Sequence, residues 1–194
     1  SIHYAKRIQY AILPDADKVK KCIPNAFIFY HPKDIVSGDF YWVDQVGEQV
    51  LFAVVDCTGH GVPGAFVSII ANNALNKIIV EDETTTPGDI LNKMNGSITA
   101  FFEKSDKKIR DGVDMGICSW NKKTRELQFA GAFNSLFMYE GGELLEIKGN
   151  RESIGASIYH HEKEFRNFKF QIALDTKVFL SVSYTHLTLP TTRL

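Results

Sequence analysis

Two aspartates stand where a hairpin would bring them together. Phe40–Val46 and Gln49–Val55 are rich in aromatic and β-branched residues and are joined by Gly47-Glu48, with Gly first as a type II′ turn requires. A two-residue turn sets the register, so Tyr41 faces Val54, Val43 faces Phe52, and Asp39 faces Asp56 just beyond them. Directly opposed residues of an antiparallel pair have Cβ atoms about 4.5–5.5 Å apart, where like charges repel. The two carboxylates therefore either share a cation or stand solvated at the strand ends, and spacing alone leaves both readings open. With no His or Cys side chains set beside them as ligands, the donors are hard oxygens, which suit Mg²⁺ or Mn²⁺ and disfavour zinc.

Other residues carry weaker chemistry. Cys57 lacks a Cys/His or Ser/His/Asp set, and the neighbouring acid raises rather than lowers a thiol pKa, which argues against a nucleophile. His60 lies in a Gly-rich turn, placed there either as a general acid or for its backbone contacts. Asp111 and Asp114 bracket Gly112-Val113 and read as turn-forming acids, and His160-His161 read as exposed loop residues. Gly59-His60-Gly61-Val62-Pro63-Gly64 fits the G-x-G-x-x-G dinucleotide pattern between a strand and a helix, with Glu81–Glu83 at about the expected distance. Two features oppose that reading. Asp56 would sit beside a pyrophosphate without a compensating cation, and residues 84–104 read as loop and helix where a second parallel strand is needed.

The elements that must position these groups can be read in outline. Ile2, Ala5, Ile8, Ile12 and Leu13 recur at helical spacing up to Pro14, predicting a short amphipathic helix whose pattern is already under way at the first residue, as if continued from upstream. Ala26–Tyr30, stopped by His31-Pro32, reads as a strand. Pro63 opens a helix to about Val80 and a second runs from Asp89 to Lys104. From Gly112 onward the pattern is all strand: Met115–Trp120, Leu127–Gly131, Leu136–Glu140, Leu144–Ile147, Glu164–Ile172 and Val178–Leu180. Strands, two consecutive helices and more strands predict an α+β domain with mostly antiparallel sheets.

Composition narrows the functions. At 194 residues, 44% hydrophobic and 23% charged, the chain is long and apolar enough for one domain with a substantial core. Twenty-two Lys+Arg against 23 Asp+Glu, a net charge of -1, provide no basic stripe for nucleic acid. No apolar run is long enough for a membrane segment. Three scattered cysteines without C-x-x-C fit the reduced thiols of a cytoplasmic protein.

Taken together, Asp34-Ile35-Val36-Ser37-Gly38-Asp39-Phe40-Tyr41-Trp42, then Val55-Asp56-Cys57-Thr58-Gly59-His60-Gly61-Val62-Pro63-Gly64-Ala65, and Asp114-Met115-Gly116-Ile117 resemble the PPM-type metal-dependent serine/threonine phosphatases, nearest the sporulation protein E and RsbU-like branch. The resemblance spans about Pro14 to Leu180. It implies a four-layer α-β-β-α sandwich and a centre of two Mn²⁺ or Mg²⁺ ions whose shared water attacks a phosphoserine or phosphothreonine of a protein substrate. It implies Asp39 as ligand of one metal, Asp56 as the bridging ligand and Cys57 as a ligand through its backbone carbonyl. It further implies bacterial signal transduction, with an upstream sensor domain feeding residues 1–13 and the phosphatase domain filling residues 14–181. A non-catalytic phosphoprotein-binding regulator of the same fold is the alternative.

The sequence departs from the family in places. Ser135 replaces the Pro of an A-G-x-x-N-P turn, and Thr58 stands where animal enzymes carry a His. After Lys177–Ser181 the family's S/T-D-G motif and a later Asp motif, each supplying a metal ligand, do not follow. Val182–Thr191 instead resembles the in-frame translation of a transposon-end sequencing adapter, so residues 182–194 are expected to be a non-native tail and the chain a weak enzyme.

Overall fold

The computed structural model describes residues 2–32, 34–103, 112–155 and 164–182. The opening helix α1 spans Ile2–Ile12, ending before Pro14 as the apolar spacing predicts. A short helix α2, Ala16–Cys22, follows, and the sequence reading missed it. Its signal was local: Asp15 caps it by accepting the Lys18 backbone N–H at 2.7 Å, and Lys20 and Lys21 sit in its last turn. The strand expected at Ala26–Tyr30 does not form. Its residues are extended but join no ladder, and Phe27 and Phe29 remain exposed, because β-branched and aromatic residues make a strand only where a partner edge is free to pair.

The hairpin forms as read. Strand β1, Phe40–Val46, pairs with β2, Gln49–Cys57, in the register Tyr41↔Val54 and Val43↔Phe52, and Gly47 supplies the positive φ of +57° at the turn. Helix α3, Gly61–Leu75, then runs into a π-helical stretch, Asn76–Glu81, where the Trp42 indole N–H donates to Asn76 Oδ1 at 2.9 Å. Helix α4, Pro87–Glu103, leads to β3 (Val113–Asn121), β4 (Glu126–Ala132), β5 (Ser135–Glu140), β6 (Glu143–Lys148), β7 (Phe168–Gln171) and β8 (Lys177–Leu180). The strand expected over Glu164–Ile172 shortens to β7. Its first residues instead meet α4 and the β6–β7 connection, with the Phe165 N–H donating to Asn92 Oδ1 at 3.0 Å and the Glu164 carbonyl accepting from Asn150 Nδ2 at 3.0 Å.

All strand pairings between named strands are antiparallel: one sheet runs β1-β2-β3-β4-β7 and the other β6-β5-β8. Alternation along each strand then divides the core. Leu51, Val55, Met115 and Ile117 face α3 and α4, where they meet Leu75, Ile90, Leu91, Met94 and Ile98. Cys118, Leu127 and Phe129 face the other way and pack against Leu136 and Met138 of the smaller sheet. The α+β class with antiparallel sheets is therefore as expected, and a helical layer, the large sheet and the small sheet are stacked in that order. On the outer face of the small sheet, Phe137, Tyr139, Leu144, Lys177 and Phe179 line an open depression.

Candidate metal centre

The hairpin delivers Asp39 and Asp56 together. Asp39 immediately precedes β1, Asp56 is the penultimate residue of β2, and the ladder beginning at Phe40↔Val55 sets them opposite one another. Their carboxyl groups are hydrogen-bonded to each other. Burial first, then the negative charge of Asp56, then that shared hydrogen bond push the Asp39 carboxyl up to about 7. Asp39 thus holds its proton to a higher pH than an ordinary carboxyl.

A third carboxylate stands in the same row. Asp114 opens β3 directly opposite Asp56, in the register Asp56↔Asp114, rather than serving only as a turn residue. Burial raises its pKa, an effect opposed by the hydrogen bond from Ser153, whose hydroxyl donates to Asp114 Oδ1, and reinforced by the charge of Asp56. The Asp114-Met115-Gly116-Ile117 motif singles the residue out, but α3 and α4 intervene between β2 and β3, so nothing local sets its register against Asp56.

Cys57 contributes no thiol chemistry. Its side chain lies in the core under α3, and burial followed by the charges of Asp56, Asp39 and Asp114 drives its pKa far above the ordinary thiol range. Its carbonyl is another matter. A Cβ on Gly38 would lie 2.7 Å from the Cys57 oxygen and 2.9 Å from the Gly59 oxygen, so these carbonyls close on the backbone that carries Asp39.

Three backbone segments cross at this point, which accounts for the glycines. Gly59 and Gly61 have φ of +91° and +64°, and a Cβ on Gly64 would lie 2.3 Å from the Gly59 oxygen and 3.2 Å from the Gly38 Cα. The glycine spacing that resembled a dinucleotide loop therefore serves a backbone crossing, and β3 returns antiparallel to β2 rather than as a parallel crossover strand. Since neither backbone can yield cheaply, Gly64→Ala is expected to destabilise the fold by about 1–3 kcal/mol. Chemical denaturation would measure this as a lower midpoint with an unchanged slope.

His60 has a largely exposed imidazole, with Nδ1 3.4 Å from Asp34 Oδ2. Asp175 is exposed in the turn before β8. Asp111 and His160-His161 lie outside the described residues, as do residues 183–194 of the expected tail. Among the described residues no group of three or more His, Cys, Asp or Glu side chains is arranged to hold a metal ion. The donor set nevertheless suits one: two facing carboxyl groups beside converging backbone carbonyls are oxygen-only and electron-rich.

The same strain makes stability depend on pH. Because the folded Asp39 pKa is raised above its unfolded value, the stabilisation is present below about pH 4 and is lost as pH rises through about 7. Asp39→Asn is therefore expected to flatten that decline and, at pH 8 without metal, to stabilise the domain by up to about 1 kcal/mol, a melting shift of about 2–4 °C. Thermal melts at pH 5 and pH 8 in chelator would check it, with little difference between variant and wild type at the lower pH.

The fold is that of a PPM-type, or PP2C, phosphatase domain: the SiaA-PP2C domain of Pseudomonas aeruginosa superposes with a TM-score of 0.80 at 32% identity, over 92% of this chain and 69% of that one. The stage II sporulation protein E (SpoIIE) family profile matches residues 47–181, and the chain belongs to that family. Two more distant structures share the fold. The PP2C domain with a fragment of the regulatory domain of SpoIIE from Bacillus subtilis matches at TM-score 0.56 and 20% identity, over 73% of this chain and 39% of that one. RsbX, solved in complex with magnesium, matches at TM-score 0.54 and 12% identity, over 75% of this chain and 65% of that one. No curated protein matches the chain.

Proposed function

We propose that this domain is a metal-dependent phosphoprotein phosphatase that hydrolyses phosphoserine or phosphothreonine in bacterial signal transduction. The observation that carries the reading is the facing pair Asp39 and Asp56, which the hairpin register sets opposite one another beside the converging carbonyls of Cys57 and Gly59. Asp39 would hold one Mn²⁺ or Mg²⁺, Asp56 would bridge two, and Cys57 would contribute its carbonyl oxygen. When bound, such ions neutralise phosphoryl oxygens and lower the pKa of a shared water. The chain's own part is to give up the Asp39–Asp56 proton, hold both carboxylates fixed on the hairpin and keep the Cys57 thiol out of the site. A protein nucleophile is not required, which fits the inert, buried Cys57. Membership of the SpoIIE family and the likeness to SiaA support the phosphatase class.

An upstream sensor domain is proposed as the source of α1, since the Bacillus subtilis relative was solved with part of a regulatory domain. No described helix is long and apolar enough to cross a membrane. A second reading, a phosphoprotein-binding regulator without catalysis, is favoured by one observation: no group of three or more potential ligand side chains is arranged for metal among the described residues. Phosphate release from a phosphoserine peptide, with Mn²⁺ and with chelator, tests the first reading. Release that needs Mn²⁺ supports it, whereas peptide binding without any release in either condition supports the regulator.

A further inference from the structure

Among the described residues, the non-glycine residues with a positive φ are Glu83, Arg125 and Phe133. Glu83 and Arg125 are exposed polar residues. A bulky aromatic in the left-handed region is out of place, because its Cβ crowds the following carbonyl, and glycine or asparagine would sit there with less strain. The turn between β4 and β5 nevertheless enforces a φ of +59° at Phe133. The Phe133 N–H donates to the Asn150 carbonyl at 2.7 Å, the Asn150 N–H donates to the Gly131 carbonyl at 2.7 Å, and the Asn134 N–H donates to the Ala132 carbonyl at 2.8 Å. A Cβ on Gly131 would lie 2.2 Å from the Asn134 oxygen, so the turn is too tight to unwind around the ring. Packing does not account for the aromatic either, since Phe133 is 53% exposed. A strained residue that neither the backbone nor the core requires points to a task outside the fold itself.

Its place in the sheet indicates the task. Asp39 faces Asp56 at the end of the hairpin, Asp56 pairs with Asp114 of β3, and the β3–β4 ladder ends at Met115↔Ala132. Asp114 is one step before Met115 and Phe133 is one step after Ala132, so Phe133 takes the fourth place in the row that holds the three carboxyl groups. An exposed aromatic ring thus borders the centre on the β4 side. Such a ring offers a large apolar area to whatever covers it.

We infer that Phe133 is a specificity residue whose ring packs against an apolar side chain next to the phosphoserine or phosphothreonine, so that the site selects phosphoprotein segments with an apolar neighbour over glycine-flanked ones. The inference rests on the reading of Asp39 and Asp56 as a phosphoprotein-hydrolysing centre, and names which segments that centre takes. The left-handed backbone has its part in this. It ends the ladder at Ala132 and leaves the ring uncovered beside the row instead of paired within the sheet.

The test uses two labelled phosphoserine peptides that differ only in carrying leucine or glycine on both sides of the phosphoserine. Their affinities for the protein at saturating Mn²⁺ are read by fluorescence anisotropy, Mn²⁺ affinity by calorimetry and the melting temperature by circular dichroism. Wild type is expected to prefer the leucine peptide about tenfold, the effect of burying about 50–60 Å² of apolar surface. Phe133→Asn, which suits the left-handed conformation, is expected to bring that preference below about twofold. It should bind the glycine peptide and Mn²⁺ as wild type does, with a melting temperature no more than about 4 °C lower. Phe133→Tyr, which keeps the ring, should keep the preference. A wild type without preference, a Phe133→Asn variant that retains it, or equal loss of both peptides would overturn the inference and leave the centre standing. So would a larger fall in the Phe133→Asn melting temperature, because the ring would then serve packing. Failure of both peptides to bind wild type with Mn²⁺ would overturn the reading of the centre, and the inference with it.

Discussion

Asp56→Asn is expected to cut Mn²⁺ affinity by more than about 100-fold, and to remove Mn²⁺-dependent phosphate release with it, while the metal-free fold becomes more stable at pH 8. Removing even an outer-shell partner of a metal ligand costs about 10–100-fold, and Asp56 is proposed as a direct ligand to both ions, so its loss should exceed that range. The amide keeps the volume of the carboxyl and the hairpin register, so folding has no reason to fail. What disappears is the charge that helps push Asp39 up to about 7, and with it the repulsion between the two facing acids. The opposite signs of the two effects make the prediction specific. A calorimetric Mn²⁺ titration, a phosphopeptide assay and a melt in chelator measure them together. Turnover like that of wild type would remove Asp56 from the mechanism.

The second large effect concerns the chain of residues 1–194 itself. Two facing carboxylates and one carbonyl cannot hold two hard divalent ions tightly, since Mn²⁺ and Mg²⁺ fill six positions and each missing carboxylate must be replaced by water. One Mn²⁺ is expected to bind weakly, with turnover orders of magnitude below that of a centre with a full ligand set. Asp114 is the nearest further acid, and the Ser153 hydroxyl already donates to it. If calorimetry found two tight sites, Asp114 would be the first residue to test, by Asp114→Asn, ahead of the exposed Asp175. The small sheet sharpens the expectation of poor behaviour in solution. Among the described residues strand β8 pairs with β5 on one side and is the edge of its sheet on the other, with Phe179 and Leu144 exposed on the outer face. An open edge next to exposed apolar side chains invites self-association, which light scattering at rising concentration would detect.

The Asp39–Asp56 pairing was legible in the sequence because every constraint that sets it is local. A two-residue turn with Gly first admits one register, and the period of two then places the acids on the same face. The two long helices and the short strands beyond Gly112 were legible for the same reason, through periodicity and breakers within a few residues. The expected strand at Ala26–Tyr30 failed on the same logic in reverse. Its composition suits a strand, but strand formation depends on a partner that no local pattern can promise.

Tertiary structure alone decided what lies around that pair. Asp114 reaches Asp56 only because α3 and α4 return the chain so that β3 lies beside β2, and nothing near either residue encodes that register. Gly59, Gly61 and Gly64 fit a phosphate-binding pattern by spacing, but in the fold Gly59 and Gly64 meet Gly38 where three backbone segments cross. The buried Gln9 of α1 meets Ser37 and Ser68 across separations of 28 and 59 residues. Turn geometry and side-chain period act between near neighbours, so sequence determines them directly. The surroundings of a buried charge are set by which distant segments pack over it, and that is known only once the chain has closed on itself.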